Sequence, residues 1–330
     1  MGRADLYRTA RDWENRLDST GRYDYTNLLD ELSFHAELRF CEYVQYGQSI
    51  GFFSQLSAWL RNVSQTQYQQ ALLQLVAHLV FVDSAQMTSL YRDAFRRIVG
   101  PWLNEHSWTI DEMLAPDFQN TQLRALAEFQ FASVTESCDV GLLLKTNNLH
   151  GLRRPVLLGP DVQRATSVVR ALPQELSGLI VCEDIVGTGK QAGRILQAVE
   201  HLVPSSWRLL FVPLIVFEVG LKNLVTDYLQ RTPVRPVITL PQRYCLRSAP
   251  KAQEPELFKV VRGIVKNTRH RVLQPLDDLD DPPADAFGYE DSGGLLVTCH
   301  NAPNNTLPLI HHRSPTWNAL FRRLHHKERK

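Results

Sequence analysis

The fold is decided by one segment of the chain, Leu179-Ile180-Val181-Cys182-Glu183-Asp184-Ile185-Val186-Gly187-Thr188-Gly189-Lys190-Gln191. Its apolar run predicts a buried strand, its two glycines predict a tight loop, and the residues that follow predict a helix. Free N–H groups and the helix dipole favour anions at such a helix N-terminus. Because two carboxylates precede the loop and suit sugar hydroxyls, the segment predicts a site for a sugar phosphate.

The composition is that of a globular protein. The 330 residues are enough for two domains, and 44% are apolar and 22% charged. The net charge of +1 implies no general attraction to nucleic acid or membrane. No apolar run reaches the ~20 residues of a membrane span, and the first residues lack a signal peptide's apolar core. Five scattered cysteines without a Cys-x-x-Cys pair indicate a reducing, cytoplasmic location.

Helical periodicity dominates the chain up to about residue 125. The apolar stripes favour core packing, with a partner-binding groove as the alternative. We expect an all-α N-terminal domain over residues 1–125. The predicted helices are Leu28–Tyr46, Phe52–Val63, one that begins at Ser64 with Gln67 as a capping box and continues to Val80, and one that opens at Asp83 or Ser84 and stops or kinks at Gly100-Pro101.

Residues 126–330 alternate short apolar runs with helical segments. This alternation predicts an α/β domain with a mainly parallel sheet flanked by helices. The acidic segment 276–285 indicates a solvated loop rather than a metal site, and the basic segment 322–330 a frayed end. The predicted strands are Phe129–Ala132, Pro155–Leu158, Gly178–Cys182, Arg208–Phe217, Val237–Leu240 and Gly294–Cys299, and the helices Asp139–Lys145, Gln191–Leu202 and Leu221–Leu229.

Two common phosphate motifs do not match the loop. A P-loop needs a glycine where Asp184 stands and Ser or Thr where Gln191 stands. The dinucleotide fingerprint Gly-x-Gly-x-x-Gly meets Ala192 at its third position, which some dinucleotide-binding proteins accept. Neither motif explains the Glu183-Asp184 pair.

The segment Glu183–Lys190 resembles instead the phosphoribosyl-diphosphate (PRPP) motif of type I phosphoribosyltransferases, above all their hypoxanthine-guanine branch. That motif has an apolar strand, two acidic residues, two apolar residues and a small-Thr-Gly loop. The resemblance implies the type I phosphoribosyltransferase-like fold. It also implies that Glu183 and Asp184 hold the ribose hydroxyls and a Mg²⁺ ion that bridges the diphosphate. The implied 5-phosphate site comprises Ile185, Val186, Gly187, Thr188, Gly189, Lys190 and Gln191.

Two positions depart from this branch. It carries Asp, which exchanges a proton with the purine, where this chain has Gly187. It usually has Ser or Thr where this chain has Gln191. The sequence therefore favours sugar-phosphate binding over ordinary purine salvage.

Two further segments are candidates for the rest of the site. Ser133, Thr135 and Ser137 follow a predicted strand, and the resemblance implies a diphosphate loop there; a hydroxyl-rich turn without a ligand is the alternative. Near the C-terminus, His300 is a candidate general acid or base. The amides of Asn301, Asn304 and Asn305 are candidates for reading a base or acceptor, or else they cap their own turn.

These motifs and the helical N-terminal region together resemble phosphoribosyltransferase-like proteins of bacterial conflict systems. Some of those are effectors beside retron reverse transcriptases and winged-helix proteins. The resemblance implies a glycosyltransferase or hydrolase that acts at C1 of PRPP or a related ribose phosphate in antiviral defence. It implies as partners a reverse transcriptase–RNA/DNA complex or a winged-helix protein. The alternatives are a catalytically inactive PRPP or nucleotide sensor and a subunit of a nucleoprotein defence complex.

Overall fold

A computed structural model describes residues 2–16, 23–43, 51–105, 109–252, 254–275 and 285–323. Most of the acidic segment 276–285 and of the basic segment 322–330 lies outside the described residues. The chain divides into two compact units, the first made of Met1–Ser84 with Arg243–Lys330 and the second of Ala85–Gln242. Among the described residues, no helix combines the length and the apolar character needed to cross a bilayer.

The elements are named in chain order. The strands are β1 (Val80–Val82), β2 (Phe129–Ser133), β3 (Val156–Leu157), β4 (Gly178–Val186), β5 (Arg208–Phe217), β6 (Ile238–Leu240) and β7 (Leu296–Thr298). The helices are α1 (Arg3–Arg16), α2 (Tyr25–Leu38), α3 (Phe52–Leu60), α4 (Thr66–Ala77), α5 (Ser84–Asp93), α6 (Gly100–Asn104), α7 (Ile110–Leu114), α8 (Phe118–Leu126), α9 (Val140–Thr146), α10 (Val162–Arg170), α11 (Lys190–Leu202), α12 (Glu218–Asn223), α13 (Glu256–Val272) and α14 (Pro308–His311).

The second unit contains a five-stranded sheet in the order β3-β2-β4-β5-β6, with every neighbouring pair parallel. The predicted parallel sheet flanked by helices is therefore confirmed. Central strands of such sheets are near-continuous apolar runs because helices cover both faces, and β5 is buried from Leu209 to Phe217. One buried cluster joins α10 and α11 to the strands through Ala165, Val169, Ile195, Leu196, Val199, Leu179, Val181, Leu209 and Phe211.

The strand order reverses between β2 and β4. From β2 the chain moves outward to β3, whereas from β4 it moves the opposite way to β5 and β6. Ligands of open parallel sheets bind outside the carboxyl ends of the strands at such a switch point. We therefore expect a ligand to bind at the loops that follow β2 and β4.

The first unit does not confirm an all-α domain over residues 1–125. It joins the N-terminal helices α1–α4 to α13 and α14, with Trp59, Phe258 and Phe321 in one core. It also contains the parallel pair β1 and β7, in which Val80 lies opposite Leu296. The boundaries of the two compact units therefore differ from the expected domain boundary at residue 125.

Several helix ends differ from the prediction. Residues 80–82 form a strand rather than the end of a helix, because Val-Phe-Val suits a strand that can pair with β7. Helix α4 begins at Thr66, and its N-cap Gln65 makes no side-chain cap. A π-helical segment, Ala94–Val99, carries α5 into α6, whose first turn accepts Pro101 because that turn needs no N–H donor. Helices α10 and α13 were not predicted.

Candidate active site

Strand β4 runs further than the sequence predicts and includes the acidic pair. Residues 178–186 form one strand, in which Glu183 lies opposite Pro213 and Val186 opposite Val216 of β5. Glu183 is only 3% exposed, whereas Asp184 is half-buried. The strand therefore leaves Asp184 partly accessible and holds Glu183 inside the protein.

Glu183 binds the loop that follows β2. Its Oε2 accepts the N–H groups of Val134 at 3.1 Å and Thr135 at 3.0 Å, and its Oε1 accepts the Thr135 hydroxyl. The carboxylate that the resemblance assigns to ribose thus anchors the predicted diphosphate loop in this structure.

Asp184 completes the same network. Its Oδ1 accepts the N–H of Ile185 at 2.8 Å and the hydroxyl of Ser137 at 3.1 Å. The Ser137 and Thr135 hydroxyls lie 2.8 Å apart and form a hydrogen bond. Ser133 belongs to β2 itself and is buried. The structure therefore brings Thr135 and Ser137 to the acidic pair.

The buried surroundings of this pair raise several pKa values. Burial raises the pKa of Glu183 well above its usual range, the neighbouring Asp184 carboxylate adds to the rise, and the Thr135 donors oppose it. Burial likewise raises the pKa of Asp184, against the hydrogen bond from Ile185. The thiol of Cys182 has its pKa raised to about 12 by burial and by Glu183. This cysteine is therefore a neutral packing group rather than a nucleophile.

The loop after β4 is held by three glycines. Gly189 is the N-cap of α11 and has φ +80°, a left-handed conformation that favours glycine. A Cβ on Gly189 would lie 2.7 Å from the Gly220 oxygen, and one on Gly220 would lie 2.1 Å from the Gly187 oxygen. Asn223 Nδ2 donates to the Thr188 oxygen at 3.0 Å. Helix α12, to which the sequence analysis assigns no part of the site, therefore fixes the glycine loop 187–189.

Tyr91 on α5 is a second residue that sequence reasoning did not assign to the site. Its side chain is 2% exposed, and its hydroxyl accepts the N–H of Asp139 at 2.8 Å and points to Cys138 Sγ. Burial raises its pKa, so the phenol stays protonated. Asp139 caps α9 by accepting the Leu142 N–H at 2.9 Å. Tyr91 therefore positions the end of the β2 loop.

We expect Tyr91→Phe to lower the free energy of unfolding by about 1–3 kcal/mol, because the Asp139 N–H loses its acceptor while the ring still fills its place. Urea unfolding measures the loss. Tyr68→Phe is the control, since that hydroxyl only accepts a 3.5 Å bond from Asn267 near the surface. Equal stability of the two variants would contradict a positioning role for the Tyr91 hydroxyl.

The side chains of the acidic pair and the neighbouring loops provide only part of what a Mg²⁺ site needs. No cluster of three or more His, Cys, Asp or Glu side chains that could hold a metal occurs within the described ranges. Mg²⁺ commonly takes one or two carboxylates and completes its shell with water and substrate oxygens. Asp184 fits that use, whereas both oxygens of Glu183 already accept hydrogen bonds from the protein.

The C-terminal candidates lie in the first unit, whereas the acidic pair and both loops lie in the second. His300 is exposed after β7, and the Asn301 oxygen accepts the N–H of Thr298 at 3.1 Å and its hydroxyl at 2.9 Å. The Asn304 and Asn305 oxygens accept the N–H groups of Tyr289 and Gly294. Backbone carbonyls of these asparagines therefore close the turns of this segment.

Comparison with known proteins agrees with this geometry. Residues 56–323 match the family model PRTase-CE. No curated protein and no solved structure matches the chain. The matched residues include both loops of the switch point and the strand that carries the acidic pair. The chain belongs to the PRTase-CE family and is a phosphoribosyltransferase-like protein.

Proposed function

We propose that this protein is an enzyme that acts at C1 of PRPP or a related ribose 5-phosphate. One observation carries the proposal: the glycine loop 187–189, the N-terminus of α11 and the half-buried Asp184 meet at the switch point of a parallel sheet. The loop offers N–H groups to a phosphate, and Asp184 offers a carboxylate to ribose hydroxyls.

In the proposed reaction the bond between C1 and its leaving group breaks, and the electron pair departs with that group. An acceptor or water then forms the new bond at C1 and gives up a proton to the departed group or to bulk water. The carboxylate of Asp184 stabilises the positive charge that develops on the sugar, and Glu183 holds the loop after β2 in place. The N–H groups of residues 187–191 and the Thr188 hydroxyl hold the 5-phosphate. Mg²⁺, when bound at Asp184, would neutralise charge on the leaving group.

Titration calorimetry of PRPP with Mg²⁺ tests the site. We expect Asp184→Asn to weaken binding roughly tenfold or more, because a charged partner of the ligand is lost (each tenfold is about 1.4 kcal/mol). Asp117→Asn is the matched control, since Asp117 is exposed and its side chain makes no cap bond. Equal affinity of the wild type and Asp184→Asn would contradict the assignment of Asp184.

A non-catalytic sensor is the second candidate. Gly187 supports it, because no side chain stands where the hypoxanthine-guanine branch has its proton-exchanging Asp. Turnover separates the two candidates: release of diphosphate or of a free base from a bound ligand identifies an enzyme. Binding without any release identifies a sensor.

The motifs' resemblance to conflict-system proteins supports a role in anti-phage defence and a cytoplasmic location. It also supports a reverse transcriptase–RNA/DNA complex or a winged-helix protein as partner. Loss of plaque protection in cells that carry Asp184→Asn would connect the site to defence, and unchanged protection would disconnect it.

A further inference from the structure

Helix α13 of the first unit has a basic outer face. Lys259, Gly263, Lys266 and His270 recur at spacings of four, three and four residues, which places them on one side of the helix. The two lysines and His270 are exposed, Lys259 to 79% of its side chain, and the exposed Arg269 lies beside them. At 1.5 Å per residue these positions extend over about 16 Å, the length of several nucleotides of a nucleic-acid strand. We call Lys259, Lys266, Arg269 and His270 the α13 face.

The stability of the helix does not account for the charge of this face. The one acidic residue of α13, Glu256, lies 3.6 Å from Lys259, but both side chains are exposed and such a pair contributes little. Lys266 has only basic or neutral residues three and four positions away on either side, and like charges at that spacing destabilise a helix. The helix dipole favours basic residues in the last turn, where Arg269 lies, but not at Lys259 or Lys266.

A glycine interrupts the side chains of the face. Glycine inside a helix costs about 0.5–1 kcal/mol relative to alanine. A Cβ added to Gly263 would have no atom within 4 Å, so packing does not require glycine there. Its absence leaves the helix backbone between Lys259 and Lys266 open to close approach by a ligand.

The neighbouring helix α4 adds neutral polar groups. It packs against α13, and Asn267 Nδ2 donates to the Tyr68 hydroxyl at 3.5 Å. Helix α4 has four glutamines and no charged residue. Among the described residues, none of the exposed large apolar side chains belongs to α4 or α13. A protein partner would need apolar anchors, whereas amide and phenol groups beside Lys and Arg are the set that contacts phosphates.

We propose that the α13 face binds the sugar–phosphate backbone of a nucleic acid without reading its sequence. Lys259, Lys266 and Arg269 neutralise phosphates, the strand passes over Gly263, and His270 donates a hydrogen bond. Because the whole chain has a net charge of only +1, binding is local to this face and weak, with a Kd of about 10⁻⁶–10⁻⁴ M at physiological salt. It is separate from the proposed reaction, whose residues belong to the second unit.

Fluorescence anisotropy of the full chain with a labelled RNA strand of about 20 nucleotides and with a DNA duplex of about 20 base pairs tests the proposal between about 50 and 200 mM salt. We expect the logarithm of the association constant to fall with the logarithm of the salt concentration with a slope of about −2 to −3, because three cations each release about one counterion. The tighter of the two probes identifies the kind of nucleic acid. A slope near zero for both probes would overturn the proposal.

A triple variant locates the binding surface. Lys259→Gln, Lys266→Gln and Arg269→Gln together should weaken binding about tenfold or more and bring the slope close to zero, because the exposed phosphate contacts are lost. The matched control removes three exposed arginines from another helix of the same unit, which also carries acidic residues, and should bind almost as the wild type does: Arg8→Gln, Arg11→Gln and Arg16→Gln in α1.

Two outcomes of these measurements contradict the assignment. Equal losses in the α13 variant and the α1 control would mean that total charge, not the α13 face, determines binding. Poly-aspartate that competes with the labelled probes as strongly as unlabelled nucleic acid of the same charge would favour an acidic protein as the partner of this face. Urea unfolding of the α13 variant should show a stability equal to or above that of the wild type, because repulsion along the helix is removed.

Discussion

Gly220→Ala is expected to weaken binding of ribose 5-phosphates roughly a hundredfold and to lower the free energy of unfolding by about 1–3 kcal/mol or more. The added Cβ would lie 2.1 Å from the Gly187 oxygen, a backbone atom that cannot rotate away. The loop 187–189 must therefore move from α12. Its N–H groups then no longer point at one phosphate position, and binding loses its pre-organised donors.

Gly189→Ala should also weaken ligand binding and lower the free energy of unfolding, but for a different physical reason. Its φ of +80° costs an L-residue about 1–2 kcal/mol, and its Cβ would lie 2.7 Å from the Gly220 oxygen. Gly263→Ala is the matched control, because Gly263 lies inside α13 with no atom within 4 Å of an added Cβ. That substitution should stabilise the protein by about 0.5–1 kcal/mol.

Urea unfolding and phosphate-ligand calorimetry on the three variants give the comparison. A folded Gly220→Ala protein that binds its ligand with wild-type affinity would show that contact between the loop and α12 is not needed for phosphate binding. A loss of stability in Gly263→Ala would show instead that glycine replacement is harmful in general.

The part of the fold that local sequence encodes could be predicted. Strand β5 has the predicted bounds Arg208–Phe217, and α11 begins one residue before the predicted Gln191. Both follow from apolar periodicity within a short stretch. The loop between β4 and α11 follows from Gly187 and Gly189, since glycine permits the turn.

The parts of the fold and of the candidate site that could not be predicted depend on contacts between residues far apart in the sequence. Val80 pairs with Leu296, and no local pattern around residue 80 shows that partner, so apolar periodicity alone extends the predicted helix to Val80. Tyr91 fits an apolar helical stripe, and its hydroxyl's role depends on Asp139, which lies 48 positions away. Glu183 looked equivalent to Asp184 because the sequence does not show which carboxylate meets Val134 and Thr135.

Glu200→Ala is expected to lower the free energy of unfolding by about 3 kcal/mol or more, because buried N–H groups that lose their acceptor cost about 1–3 kcal/mol each. Glu200 is 6% exposed, and its carboxylate accepts the N–H groups of Gln230 at 3.2 Å, Arg231 at 3.0 Å and Thr232 at 2.7 Å. It thereby ties α11 to the turn before β6. Glu200→Gln keeps the shape of the side chain and should lower the free energy of unfolding by less than Glu200→Ala does.

The pH dependence of the stability lost in Glu200→Gln tests whether the negative charge of Glu200 causes that loss. Burial acts to raise the pKa of Glu200, but its hydrogen bonds outweigh burial and hold the pKa below the usual 4.5. A lowered pKa means that the stabilisation is complete above 4.5 and is lost as the pH falls through the lower value. The stability difference between wild type and Glu200→Gln should therefore narrow below pH 4.5. Glu256→Gln, whose side chain is 86% exposed, is the control and should show almost no difference.

Ligand affinity then distinguishes scaffold from site. Glu200 lies ten residues along α11 from Lys190, about 15 Å from the phosphate loop at 1.5 Å per residue. Glu200→Gln should therefore bind ribose 5-phosphates with wild-type affinity, even though it is less stable, whereas Gly220→Ala should lose both properties. A fall in affinity in Glu200→Gln that matches its fall in stability would mean that binding follows the rigidity of the whole helix. The loop amides and Asp184 would then not account for phosphate binding on their own.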